Sequence, residues 1–391
     1  MRLRRSWLPA AASLALALVG VLAGCGGSSS HHTTSGPPRE APSVPAPATT
    51  AFGATVNALY NAPVYTAGEV LGELAALRAT GATLARSDVL WEKIESTAPT
   101  GGVHHYDWRF DDAIAGSLAS QGLTWLPILD YAANWAKAVP SQLHSPPRSA
   151  GLFATFAGAF AARYGPGGAF WRAHPELTPK PITTFEVWNE PDGGFWYPAP
   201  DAAAFADLYL QTRSAIDAVA PGARVVVGGL THVETFLPAM LAARPGLAVH
   251  LDGVGIHLYE RNPSRVFARV RRARRVLRAE GVGAVPLYIT EIGWPTHPVS
   301  RALNPYWAPA RLRPSYIART IGTLGHSDCG IGAILVYSWV TAQRTPGYLE
   351  DWYGINPPPG RGATSADVTA FTGAIRSASA ATGPPARVCG G

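Results

Sequence analysis

From Phe52 onward the chain alternates short apolar runs, rich in β-formers, with longer stretches whose apolar residues recur at helical spacing. Eight runs predict strands: 52–56, 83–86, 124–129, 184–188, 224–227, 253–259, 287–291 and 333–339. Helical spacing covers 67–80, 110–121, 151–164, 201–219, 264–280 and 314–326. Gly81, Gly122 and Gly281 stand where helices should end, and Pro221-Gly222 separates a helix from the next strand. The strand runs are nearly continuously hydrophobic, as in a parallel sheet covered by helices. Eight β-α units in about 330 residues predict an α/β fold of the (β/α)8 TIM-barrel type, a single domain. A doubly wound sheet is the alternative. It would want a G-x-G-x-x-G turn after an early strand, and none follows 52–57.

Composition narrows this picture. The 391 residues are 47% hydrophobic and 15% charged, which excludes a wholly disordered chain. Three cysteines exclude a disulfide-stapled mini-domain and a zinc ribbon. The net charge of +6 falls to +3 once residues 1–24, with Arg2, Arg4 and Arg5, are removed. Net charge therefore predicts no nucleic-acid partner.

Residues 1–24 read as an export signal, a basic start followed by an uncharged stretch rich in Leu, Ala and Val. A short membrane anchor is the alternative. Leu22-Ala23-Gly24-Cys25 resembles a bacterial lipobox. That resemblance implies cleavage before Cys25 and a lipid on its thiol; an ordinary signal with an incidental Cys is the competing reading. Residues 25–50 are a Gly/Ser/Pro/Thr-rich tether unable to pack a core, and residues 51–391 form the folded domain. His31-His32, without partner ligands, reads as inert. The expected location is the bacterial cell envelope, lipid-anchored on the outer face of the membrane or secreted. In that oxidising setting Cys329 and Cys389 are expected to pair and pin the C-terminal tail.

In a TIM barrel, functional groups gather at the C-terminal ends of the strands. Eight of the 12 tryptophans fall at or just beyond a strand end: Trp91, Trp135, Trp188, Trp196, Trp294, Trp307, Trp339 and Trp352. Their faces suit a sugar ring; ordinary loop packing is the alternative. Glu190 closes the fourth strand and Glu291 the seventh, each a lone carboxylate among apolar and aromatic residues. Such a pair suits glycoside hydrolysis, one carboxyl donating a proton to the leaving oxygen while the other attacks or activates water.

Trp188-Asn189-Glu190-Pro191 after strand four and Thr290-Glu291-Ile292-Gly293-Trp294 after strand seven resemble clan A of the glycoside hydrolases, the 4/7 superfamily. The resemblance spans about residues 52–380. It implies a retaining double displacement with Glu190 as acid/base and Glu291 as nucleophile, and no cofactor or metal. Asn189 would bond the sugar 2-hydroxyl. His257-Leu258-Tyr259 resembles the clan's His-x-Tyr, with Tyr259 orienting Glu291. Trp339 matches the aromatic platform at the cleavage point, and Arg86 the arginine that steadies the nucleophile.

Structural readings stand beside these roles. His257 suits a hydrogen-bonded barrel histidine, and Arg86 suits a pair with Asp88 or Glu92. Glu186 would either tune Glu190 or be a buried paired carboxylate. Trp135, Trp196 and Trp294 are further candidate walls, with Asp130, Tyr131, Asn134, Asp192, Phe195, Tyr197, Tyr306, Trp307, Tyr348, Trp352 and Tyr353 nearby in the loops. Large loops suit an oligo- or polysaccharide groove. A transglycosylase on the same residues and a non-catalytic polysaccharide-binding lipoprotein remain alternatives. Partners are thus a carbohydrate and, through the lipid, a membrane; a monomer is expected. Eight arginines between Arg261 and Arg278 line a helix with an apolar stripe, read as a solvated outer face or as a site for acidic polymer or lipid.

Overall fold

A computed structural model describes residues 49–61, 65–297, 306–341, 345, 348–358 and 365–390. The export segment, Cys25 and the tether through residue 48 lie outside the described residues, as does the last residue of the folded domain. Eight strands form a closed parallel barrel in chain order. They are β1 (Ala51–Thr55), β2 (Leu84–Leu90), β3 (Thr124–Asp130), β4 (Thr184–Val187), β5 (Arg224–Leu230), β6 (Gly253–Leu258), β7 (Leu287–Ile292) and β8 (Ile331–Val336). β1 closes the ring by pairing with β8, Ala54 beside Val336. The fold is a (β/α)8 TIM barrel.

Each predicted strand is present, with ends displaced by a few residues. β2 runs on to Leu90 because Ser87, Asp88 and Val89 pair along β3, polar residues notwithstanding. Predicted helices appear as Ala67–Ala79, Arg109–Ser120, Ala150–Tyr164, Ala202–Asp217, Pro263–Ala279 and Arg313–Leu324. Their starts carry local signals. Thr66 and Glu69 form a reciprocal capping box, and Asp201 and Asn262 accept from the first-turn amides. Gly81, Gly122 and Gly281 end helices at φ of 95°, 72° and 72°. Two long helices lack a clean periodic signal: Val233–Ala243, interrupted by Pro238, and the Ala-rich Ala366–Ala380. No described helix is long and apolar enough to cross a membrane.

Two apolar layers hold the barrel. Leu126, Val226, Tyr288, Ala333 and Leu335 fill its lumen, while a larger core lies between strands and helices. Arg313 braces the rim on one side. Buried, it pairs with Asp367 at 2.6 Å and donates to the carbonyls of Trp294, Trp352, Tyr353 and Gly354. That ties the β7 and β8 loops to the two final long helices. At the opposite end, Cys329 and Cys389 form a disulfide with Cα atoms 5.2 Å apart. Beside it is a cavity of about 620 Å³ lined by Thr49, Arg274, Arg278 and Asp328.

Candidate active site

Lumen polarity changes sharply along the strands. Strand alternation carries the inward face from Leu84 to Arg86 and Asp88 on β2, and from Leu126 to Asp130 on β3. The apolar plug is thus capped by charge.

Arg86 is the hub. Fully buried, it donates from Nε to Glu186 Oε2 at 2.6 Å and from a terminal nitrogen to Glu291 Oε1 at 2.6 Å. Its other terminal nitrogen reaches Glu186 Oε1 at 3.2 Å and Asn189 Oδ1 at 3.4 Å. Burial disfavours its charge, but Glu186 and Glu291 outweigh that and raise its pKa further. Glu186 also accepts from the Gly229 amide at 2.9 Å, so it is a buried paired carboxylate. Among the described residues Arg86 makes its ion pairs with Glu186 and Glu291 and none with Asp88 or Glu92; Glu92 instead accepts from Asn134.

Glu291 reaches the lumen through a change of parity. Tyr288 fills the lumen, so a regular strand would point Glu291, three residues on, outward. The register with β6 shifts between Ile256 and His257, placing His257 opposite Glu291. This bulge turns the carboxylate inward. Tyr259 then donates its hydroxyl to Glu291 Oε2. Burial alone would raise the Glu291 carboxyl; His257, Arg86 and the Tyr259 hydroxyl more than offset it and hold it below its ordinary range.

Glu190 is set by an unusual turn. Past Val187, Trp188 takes φ of 66° and Glu190 φ of 44°, left-handed conformations costly for such residues. The turn is held by bonds from Trp188 N to Leu129 O and from Gly193 N to Glu190 O, both 3.0 Å, and from Trp188 Nε1 to Phe195 O at 2.7 Å. Half-buried, Glu190 meets His257 Nδ1 at 2.7 Å, and the same nitrogen lies 3.5 Å from Glu291. Burial works against a charged His257, but Glu291 and Glu190 outweigh it and raise its pKa. Oxygens of Glu190 and Glu291 lie within 4.8 Å of one another.

The Gly228-Gly229 doublet in the valine-rich β5 makes room for both. A Cβ at Gly228 would fall 1.9 Å from Trp188 O, and one at Gly229 1.9 Å from His257 Nε2. Glycine inside a strand is the sequence signal for such close approach. Asp130, a candidate wall by its place in the sequence, is instead fully buried on the same inward face as Asp88. Burial and then the Asp88 charge push Asp130 well above the ordinary range, and neither of its oxygens has a partner among the described residues. Asp88 is raised too, by burial, against a bond from Asn57. Glu350, raised by burial, accepts the Tyr337 hydroxyl at 2.7 Å.

The tryptophan expectation needs correction. Trp339 is 0% exposed and donates its Nε1 to Glu73 at 3.0 Å, so it presents no face to a sugar. Alternation from Leu335 puts Tyr337 at that inward position, its ring 6.0 Å from Tyr259. Trp294 and Trp196 are buried as well, Trp294 donating to Glu260 O and Trp196 edge-on to Trp188. Trp91 and Trp188 join the same aromatic packing beneath the loops. Trp135 is half-buried and donates to Glu95 O. The exposed rim aromatics are tyrosines: Tyr197, Tyr306 and Tyr348. Large flat rings gain most from burial, and the loop bases offer it.

Among the described residues two clusters have metal-type donors. Asp328 lies with Cys329 and Cys389, whose sulfurs are spent in the disulfide. Glu190, His257 and Glu291 form the other. Arg86 already supplies positive charge there and His257 is drawn toward its protonated form, so the set suits proton handling better than a cation.

No family model matches the chain, and no curated protein sequence does. Solved structures resemble it. The GH39 enzyme from Xanthomonas axonopodis pv. citri superposes with a TM-score of 0.63 at 17% identity, covering 85% of this chain and 67% of that one. A monomeric beta-xylosidase from Caulobacter crescentus gives 0.61 at 18%, covering 85% and 69%. GH5_18 from Streptomyces cattleya, solved with GlcNAc, gives 0.62 at 17%, covering 87% and 82%. At these identities the likeness is one of fold.

Proposed function

We propose that the protein is a retaining glycoside hydrolase acting on an oligo- or polysaccharide. The observation that carries this reading is the approach of Glu190 and Glu291 oxygens to within 4.8 Å. Retaining enzymes hold their carboxyl groups about 5–5.5 Å apart, whereas inverting ones need roughly 6.5–9.5 Å to admit a water. The surroundings divide the roles. Glu291 meets a guanidinium, an imidazole and a phenol, which favour its carboxylate, the form a nucleophile needs. Glu190 has the more exposed side chain, 18% against 10%, and meets His257 Nδ1 at 2.7 Å.

In the proposed cycle Glu190 passes its proton to the glycosidic oxygen as the bond to the anomeric carbon breaks. Glu291 forms the new bond to that carbon, giving a glycosyl ester. Glu190, now a carboxylate, takes a proton from water as its oxygen attacks the same carbon and releases Glu291. Two inversions restore the starting configuration. The Asn189 carbonyl is held by Arg86, which orients the side chain for a sugar hydroxyl. The glycosidases among the similar folds support the substrate class.

The test is a hydrolysis screen on a glycan panel with mass-spectrometric product analysis. Glu190→Gln and Glu291→Gln are each expected to fold yet lose about 10²–10⁴-fold or more in turnover. Azide with Glu291→Gly is expected to yield a glycosyl azide of inverted configuration. Near-wild-type turnover in either Gln variant sinks the reading. Products longer than the substrate assign transfer to a sugar rather than to water. The proposal includes an exported protein acylated at Cys25: metabolic labelling with an alkyne fatty acid is expected to tag the natural chain and not Cys25→Ser.

A further inference from the structure

The helix Pro263–Ala279 is densely basic. Eight arginines and no acid lie between Arg261 and Arg278, against a net +6 for the whole chain, so the remainder is net −2. Val266, Val270, Ala273 and Leu277 are buried against the barrel. Opposite them, Arg265, Arg272, Arg275 and Arg278 are exposed and Arg271 is half-exposed. Pairing is confined to one flank, where Arg269 and Arg272 approach Glu234 at 3.8 and 3.6 Å. Among the described residues Arg265, Arg271, Arg275 and Arg278 have no carboxylate within salt-bridge distance. Arg319 on the neighbouring helix extends the patch, exposed, with its guanidinium 5.8 Å from the Phe267 ring.

We propose that this arginine face docks the barrel onto an anionic phospholipid surface. Three observations favour lipid over a linear acidic polymer. The patch is the outer side of a helix of 17 residues, roughly 25 Å long, a broad face and not a single row of charges. It widens sideways onto Arg319, matching a plane of headgroups. The lower end of the helix, at Arg274 and Arg278, lines the same cavity as Thr49, so it sits where the chain enters the barrel. The face points radially, across the barrel axis, and leaves the strand ends bearing Glu190 and Glu291 open. Attraction between arginines and anionic headgroups needs no acyl chain, and it does not depend on the glycosidase reading.

The experiment uses the full chain with Cys25→Ser, to remove the acyl acceptor, and sedimentation with vesicles in about 0.1 M salt. Phosphatidylglycerol–phosphatidylcholine vesicles are compared with pure phosphatidylcholine. Binding is expected only to the anionic vesicles and is lost in about 0.5 M salt. Replacing Arg265, Arg271 and Arg275 with Gln is expected to weaken it at least about tenfold. A charge-matched control, Lys93→Gln with Arg109→Gln and Arg172→Gln on other faces, is expected to lose less than about twofold. Equal losses in the two triple variants overturn the proposal. So does equal binding to neutral vesicles, which assigns it to the apolar N-terminal stretch. Retention by soluble dextran sulfate without vesicle binding assigns the arginines to an acidic polymer and overturns it too.

Discussion

His257 Nδ1 lies 2.7 Å from Glu190 Oε1, so a single hydrogen bond from β6 fixes where the acid/base carboxyl sits. The proposed cycle needs Glu291 as a carboxylate and, in that hydrogen bond, the proton that His257 carries. Glu291 lies below its ordinary 4.5 and His257 above its ordinary 6.5. Hydrolysis should therefore fall on the acid side only below pH 4.5, as the nucleophile protonates, and on the alkaline side only above 6.5. His257→Asn is expected to move the alkaline limb while leaving a folded protein; a pH profile of kcat/KM checks it. An unmoved limb separates His257 from the proton on Glu190. The same raised value makes His257 stabilising at low pH, with that contribution lost as pH rises through its folded pKa.

Arg86 joins two buried carboxylates, and its loss leaves both without their counter-charge. Arg86→Met is expected to cost about 3–5 kcal/mol in urea unfolding. Adding Glu186→Gln should recover part of that, because it removes one stranded charge. A double change no more stable than the single one shows that Glu186 does not need Arg86.

A methyl group at position 229 would overlap the His257 ring, 1.9 Å from Nε2. Gly229→Ala is expected to displace the imidazole, lower turnover about a hundredfold and destabilise by about 1–3 kcal/mol. Thermal unfolding and kcat measured together check both effects. A variant with normal turnover means the ring position is not required.

The Cys329–Cys389 bridge spans a sequence separation of 60, at the end of the barrel away from the carboxylates. A loop of that size predicts about 4 kcal/mol of stabilisation. Cys389→Ser should therefore lower the denaturant midpoint while kcat on a glycoside is unchanged. A large drop in kcat at temperatures where the variant is folded would connect the tail to the site.

Much of this protein is legible along the chain because the relevant physics is local. Apolar periodicity marks all eight strands, and caps such as Thr66–Glu69 need only neighbouring residues. Glu190 and Glu291 stand out because each is a lone carboxylate at the end of an apolar run. The tryptophans mislead for the same reason. Position past a strand end says which rim a ring is near, but not whether a loop covers it.

By itself, then, the sequence determined the α/β alternation, the barrel's strand count and the two glutamates at strands four and seven. Only the tertiary structure decided what those glutamates face. The β6–β7 shift turns Glu291 inward, Arg86 reaches it from β2, and His257 spans from β6 to Glu190 across a space that Gly229 keeps clear. Each depends on groups distant in sequence meeting within a few ångströms. Parity and close approach belong to strand pairing, and no local pattern encodes them.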